Sequence, residues 1–171
     1  MKKLIALILI CLATGISSSY AQTPGEVPVG GVLRDAKLQG LSGPNLKLSA
    51  YYGKPLIINV WASWCGPCRN EMGSIQRLAR RYGGKQFNVI GISTDDYREP
   101  ALAFLKESNV TFPNYIDDHL QMENMLGANR IPLTLLVDAN GKVLDKVNGA
   151  QEWDSPVILE AIRLTFKLKK L

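Results

Sequence analysis

Leu56-Ile57-Ile58-Asn59-Val60-Trp61-Ala62-Ser63-Trp64-Cys65-Gly66-Pro67-Cys68 is the stretch that decides the fold. Its first six residues form a β-branched, nearly continuous apolar run, the pattern of a strand buried on both faces. Cys65 follows within four residues. Residues 68–82 then carry Met72, Ile75, Leu78 and Ala79 at helical spacing, and Gly83-Gly84 stops the pattern. A thiol is thereby set between the carboxyl end of a central strand and the start of a helix, the edge where open α/β sheets place their sites. The positive end of the helix dipole favours the thiolate, the reactive form of cysteine. Two thiols three positions apart can close a small disulfide ring and reopen it by exchange, so the stretch points to thiol–disulfide chemistry.

The chain opens with Lys2 and Lys3, an apolar segment over residues 4–16, and a small-residue exit at Ser19-Tyr20-Ala21. Charged, apolar and small-residue regions in that order read as a secretory signal peptide over residues 1–21. The apolar segment has 13 residues, short of the roughly 20 that span a bilayer. An uncleaved N-terminal membrane anchor is the alternative. Lipidation of Cys11 would need a small residue before it, and Ile10 stands there. Cleavage would leave 150 residues, one domain with a substantial core, and no stable membrane span.

Without Lys2 and Lys3 the formal charge falls from +5 to +3. That balance, with no dense basic run, gives no support to nucleic acid as a partner. Of the three cysteines, only Cys65 and Cys68 lie beyond the signal. A structural disulfide stabilises by closing a long loop, and a bridge across two residues constrains almost nothing.

Residues 22–30, rich in Gly and Pro, read as a flexible leader, and residues 31–171 as the domain. Within it, residues 31–53 suggest a small hairpin or lid. Residues 87–92, 112–116, 133–137 and 143–147 read as strands, and 100–107, 119–126 and 155–168 as helices. The tetrad Asp138-Ala139-Asn140-Gly141 joins the last two strands, and its Asn-Gly pair signals a tight hairpin with positive φ at both positions. Asp95 and Asp96 invite a metal reading or the plainer one of capping the next helix. Strands alternating with helices and ending in a hairpin and a helix imply one α/β domain with a mixed sheet. No phosphate-cradling glycine pattern is present, and two cysteines with one distant histidine, His119, do not make a copper or zinc site.

Trp61-Ala62-Ser63-Trp64-Cys65-Gly66-Pro67-Cys68 resembles the active-site segment of the thioredoxin superfamily. The wider pattern is similar to its exported TlpA/ResA-like branch. It comprises Leu48-Ser49-Ala50-Tyr51-Tyr52-Gly53-Lys54-Pro55, Cys68-Arg69-Asn70-Glu71, Ile131-Pro132-Leu133-Thr134 and Val137-Asp138-Ala139-Asn140-Gly141-Lys142. The resemblance implies a thioredoxin-like three-layer sandwich, with a central mixed β-sheet, flanking helices and an N-terminal β-hairpin extension.

It also implies a redox-active disulfide between Cys65, the nucleophile, and Cys68, the resolving thiol. Glu71, three residues after Cys68, resembles a functional glutamate of that branch, able to take a proton and raise thiol pKa values. A solvated helix-surface glutamate is the plainer reading. Asn59 stands where thioredoxin itself has a buried aspartate. On sequence alone Ile131-Pro132 is either cis or an ordinary trans proline at a strand start. The resemblance implies the cis form, with Ile131 offering its backbone to an extended client. Trp64 would flank the thiol as a flat client-facing surface, and Trp61 would pack.

The function so implied is an exported, periplasmic protein-disulfide reductase without a diffusible cofactor, with apocytochrome c cysteines among its clients. A membrane thiol transporter of the DsbD or CcdA type would be its electron donor. The same chemistry run in reverse, as an oxidase or isomerase, is the alternative. A peptide-binding module or chaperone is the non-redox alternative, and a thiol peroxidase is a weaker fit because its cysteine normally sits in a different motif.

Overall fold

The computed structural model describes residues 23–171, so the signal segment 1–21 lies outside the described residues. Among them, seven strands form one sheet in the order β2-β1-β5-β4-β3-β6-β7. The strands are β1 Lys37–Gly40, β2 Leu46–Lys47, β3 Leu56–Trp61, β4 Asn88–Ser93, β5 Asn114–Ile116, β6 Leu133–Val137 and β7 Val143–Asn148. The helices are α1 Gly66–Tyr82, α2 Arg98–Glu107, α3 Gln121–Leu126 and α4 Pro156–Thr165, with a 3-10 turn at Leu48–Tyr51.

β3, β4 and β5 run parallel, joined by α1 and α2 as crossovers, and β6 and β7 add an antiparallel hairpin on the far side of β3. Every residue of β3 is buried, as the apolar run requires of a central strand. Strand alternation divides the core in two. Ile57 and Trp61 face a cluster built with Met72, Ile75 and Leu78 of α1, Phe104 of α2 and Ile162 of α4. Leu56, Ile58 and Val60 face a second cluster with Met122, Met125 and Leu126 of α3 and with Val27, Leu33 and Leu38. The result is a three-layer, thioredoxin-like α/β sandwich.

Several local expectations are corrected. The hairpin of residues 31–53 is present as β1–β2, but it is no lid: β1 pairs with β5 and extends the sheet. The 22–30 leader is held from Glu26 onward. Val27 donates its N–H to Met125 O at 2.9 Å, Gly30 donates to Val143 O at 2.8 Å, and Glu26 ion-pairs with Lys146. The β6–β7 turn is not the two-residue form, since Gly141 has φ +84° and Asn140 is not in the left-handed region. Asp138 Oδ1 instead accepts from Asn140 N and Lys142 N, organising a longer loop. Asp95 and Asp96 do not cap α2, which begins at Arg98 with no side-chain cap hydrogen bond.

Candidate active site

Cys65 is the N-cap of α1, in extended backbone geometry, with Pro67 in the first turn where a missing N–H costs nothing. Its Sγ accepts the Cys68 backbone N–H at 3.2 Å, one of the orphan donors that every helix start leaves free. Cys65 and Cys68 are joined as a disulfide, and both are buried. Next to them Trp64 is 70% exposed, an indole held out to solvent beside the reactive sulfur. Trp61 packs instead: its ring centroid is 5.3 Å from that of Phe104, and its indole N–H donates to Asn114 Oδ1 at 2.9 Å.

The antiparallel pairing of β3 with β6 sets Val60 opposite Leu133. The residues just before β6 therefore reach the same sheet edge as Cys65. The Ile131–Pro132 peptide is cis, and the Ile131 carbonyl oxygen lies 3.8 Å from Cys65 Sγ. Ile131 itself is half-buried between the two core clusters.

Behind the dithiol, Glu71 is one helical turn beyond Cys68 and is 2% exposed, which excludes the solvated-surface reading. Its Oε1 accepts from Asn59 Nδ2 at 2.8 Å, and its Oε2 accepts from Gln151 N at 3.0 Å and from Trp153 Nε1 at 2.9 Å. Burial pushes the Glu71 carboxyl above its ordinary value, and the donors from Trp153, Gln151 and Asn59 draw it only partly back. Asn59 also donates to Thr134 Oγ1 at 3.0 Å, and its Oδ1 is a buried atom left without a partner.

Gln151, Trp153 and Thr134 were not apparent as site residues in the sequence. Gln151 and Trp153 lie about eighty residues beyond Glu71, between β7 and α4. The only available hint was that a buried indole needs a partner for its N–H. His119 is exposed, beside Asp118. Among the described residues no three of His, Cys, Asp and Glu gather to hold a metal ion.

A cysteine pair at the carboxyl edge of the parallel strands of a mixed sheet, capped on a helix and faced by a cis-proline segment, defines a thioredoxin-like redox protein. The chain belongs to the Redoxin family, whose model matches residues 28–162, and it is a thiol–disulfide oxidoreductase of the ResA/DsbE type. It is 30% identical over 146 residues to the thiol-disulfide oxidoreductase ResA of Geobacillus thermodenitrificans, covering 85% of this chain and 84% of that one. A crystal structure of a Chlorobium tepidum protein assigned as the thiol:disulfide interchange protein DsbE superposes with a TM-score of 0.74. That match has 29% identity and covers 82% of this chain and 99% of the other. A Bacteroides thetaiotaomicron protein assigned as a protein disulfide isomerase superposes with a TM-score of 0.67 at 27% identity, covering 81% and 87%.

Proposed function

We propose that this chain is exported and reduces protein disulfides through Cys65. The observation that carries the reading is the pair of contacts on Cys65 Sγ: the Cys68 N–H at 3.2 Å on one side, the Ile131 carbonyl at 3.8 Å on the other. The first stabilises a thiolate. The second marks a strand-like backbone beside which an extended client peptide pairs by strand addition.

In the reduced chain the Cys65 thiolate attacks one sulfur of a client disulfide. The client's other sulfur leaves as a thiolate and takes up a proton, and Cys65 is held in a mixed disulfide. Cys68 then loses its proton and attacks Cys65 Sγ, forming the Cys65–Cys68 disulfide and releasing the second client thiol. Glu71, buried one turn from Cys68 with a raised pKa, accepts the Cys68 proton as its thiol ionises. Two electrons pass to the client, whose two leaving thiolates take up two protons, one equivalent to that given up by Cys68 through Glu71 and one from solvent. The chain must be reduced again by a donor, for which a membrane thiol transporter of the DsbD or CcdA type fits an exported protein. Apocytochrome c cysteines are the client class we assign.

Residues 1–21, read as a signal peptide, support a periplasmic location, with N-terminal anchoring as the alternative. Among the described residues no helix is long and apolar enough to cross a membrane. The isomerase assignment of the Bacteroides relative supports disulfide shuffling as a second reading. The mechanism is tested with Cys68→Ser, which is expected to accumulate a mixed disulfide through Cys65 when mixed with a disulfide-bonded peptide. Cys65→Ser is expected to accumulate none. Equal trapping by both variants would contradict the assigned roles.

A further inference from the structure

A second buried carboxylate, besides Glu71, holds the turn that leads into Cys65. Asp95, 2% exposed, follows the end of β4. Its Oδ1 accepts from Ser63 Oγ at 2.6 Å and Ser63 N at 3.2 Å, and its Oδ2 accepts from Ser63 N at 3.0 Å and Ser93 Oγ at 2.7 Å. Ser63 is two residues before Cys65, inside the turn closed by the Cys65 N–H on Ala62 O at 3.1 Å. The Ser63 carbonyl is held in turn by Arg69 at 3.3 Å, and that guanidinium pairs with Glu107 of α2 and lies 4.6 Å over the Phe104 ring. The turn that delivers Cys65 to the helix is thus gripped on its N–H and hydroxyl by Asp95, just after β4, and on its carbonyl by Arg69 of α1, which Glu107 of α2 holds in turn.

Arg69, which holds the same turn, is spent on the Ser63 carbonyl and on Glu107, and no ion pair joins a cation to Asp95 among the described residues. Asp96, next in sequence, is exposed. Asp117, whose N–H bonds to Ser93 O at 2.9 Å, turns its carboxylate to the α3 start, accepting from Met122 N and Glu123 N. Asp95 is therefore satisfied by neutral donors alone, and its negative charge is carried to the Cys65 turn uncancelled by a direct ion pair.

We infer that Asp95 is a positioning residue that fixes the Ser63–Cys65 turn and whose charge keeps the Cys65–Cys68 pair reducing. The chemistry follows from balance. Reduction of the disulfide consumes two electrons and leaves Cys65 as thiol or thiolate. A fixed negative charge nearby disfavours the thiolate, weakens the reduced form and lowers the potential. Where the helix start pulls Cys65 toward the thiolate, Asp95 opposes it. The inference rests on the redox reading proposed above and adds to it a residue that sets the poise of the pair.

The test is the equilibrium constant of the full domain with glutathione buffers, measured for the wild type, Asp95→Asn and Ser93→Ala. Asn keeps the size and an acceptor for Ser63, and its amide can donate to the Ser93 hydroxyl, so it removes the charge with little change in shape. We expect Asp95→Asn to favour the reduced form by about threefold to tenfold, up to roughly 30 mV in potential, with a lowered Cys65 pKa. Ser93→Ala removes one donor and leaves the charge less screened, and is expected to move the constant the other way. A wild type that exchanges normally, with both variants at its constant and altered only in melting temperature, overturns the inference. If Asp95→Asn does not fold, an unchanged constant in Ser93→Ala overturns it alone. A wild type that does not exchange at all overturns the functional reading instead, so the two failures are distinguishable.

Discussion

At Glu71, burial and hydrogen bonding pull in opposite directions, and burial wins. Its pKa in the folded chain lies above 4.5, its ordinary value. Between those two values the native chain holds more protons than the unfolded one, so stability falls as pH rises through that window and is level above it. Glu71→Gln removes the slope. Gln keeps an oxygen for the Trp153 and Gln151 donors, and its amide can face the Asn59 Oδ1 that now lacks a partner, once the Asn59 amide turns over. Denaturation midpoints measured from about pH 4 to 8 are expected to decline for the wild type relative to the variant. Parallel profiles would contradict a raised Glu71 pKa. The variant is also expected to slow release of trapped client by about tenfold or more, a general-base effect.

Among the elements, β3, β4 and β5 are locked by one glycine. Gly91 pairs with Asn59 on one side and Asn114 on the other. A Cβ there would lie 1.8 Å from Asn114 Oδ1 and 2.8 Å from Trp61 Nε1, striking the hydrogen bond those two make. Gly91→Ala is therefore expected to cost about 3 kcal/mol or more, read from chemical denaturation. A cost under about 0.5 kcal/mol, as for an ordinary surface change, would mean the strand gives way more easily than its packing implies.

Elements were also where the sequence spoke most clearly. The apolar run of β3 and the helical period of α1 are local signals, and each element stands close to where its pattern put it. The turn after β6 misled because Asp138 captures the loop backbone, which an Asn-Gly pair does not announce. Asp95 misled for a related reason. Its spacing before α2 suits a cap, but its partners are Ser63, thirty-two residues earlier, and the end of β4. The cysteines and the proline of the site were legible because local spacing and resemblance mark them. The Gln151 and Trp153 donors to Glu71 exist only through the packing of the β7–α4 connection against α1.

Over the whole molecule, the segment before β1 belongs to the second core rather than to a loose leader. Val27 is buried there, and Glu26 meets Lys146, which also donates to Leu126 O at 2.8 Å. Burial alone would raise the Glu26 pKa, but the Lys146 hydrogen bond and charge bring it below the ordinary value. That contribution has the opposite sign to Glu71. It is fully present above pH 4.5 and is lost as pH falls through the lowered folded value. Lys146→Met, which strands the Glu26 carboxylate, is expected to cost about 1–2 kcal/mol and to open residues 23–30 to proteolysis. Unchanged stability and protection would show that the backbone bonds of Val27 and Gly30 hold the segment unaided.

The central claim is that the Cys65–Cys68 pair donates electrons. It is tested most directly by the reduction potential of the domain, obtained by equilibration with thiol–disulfide buffers. In the reading proposed above, Glu71 and Asp95, both buried, oppose an over-stabilised Cys65 thiolate. The account therefore predicts a value near that of thioredoxin, roughly −270 mV. A value near about −120 mV, as in strong oxidants, would reverse the direction of electron flow and contradict it.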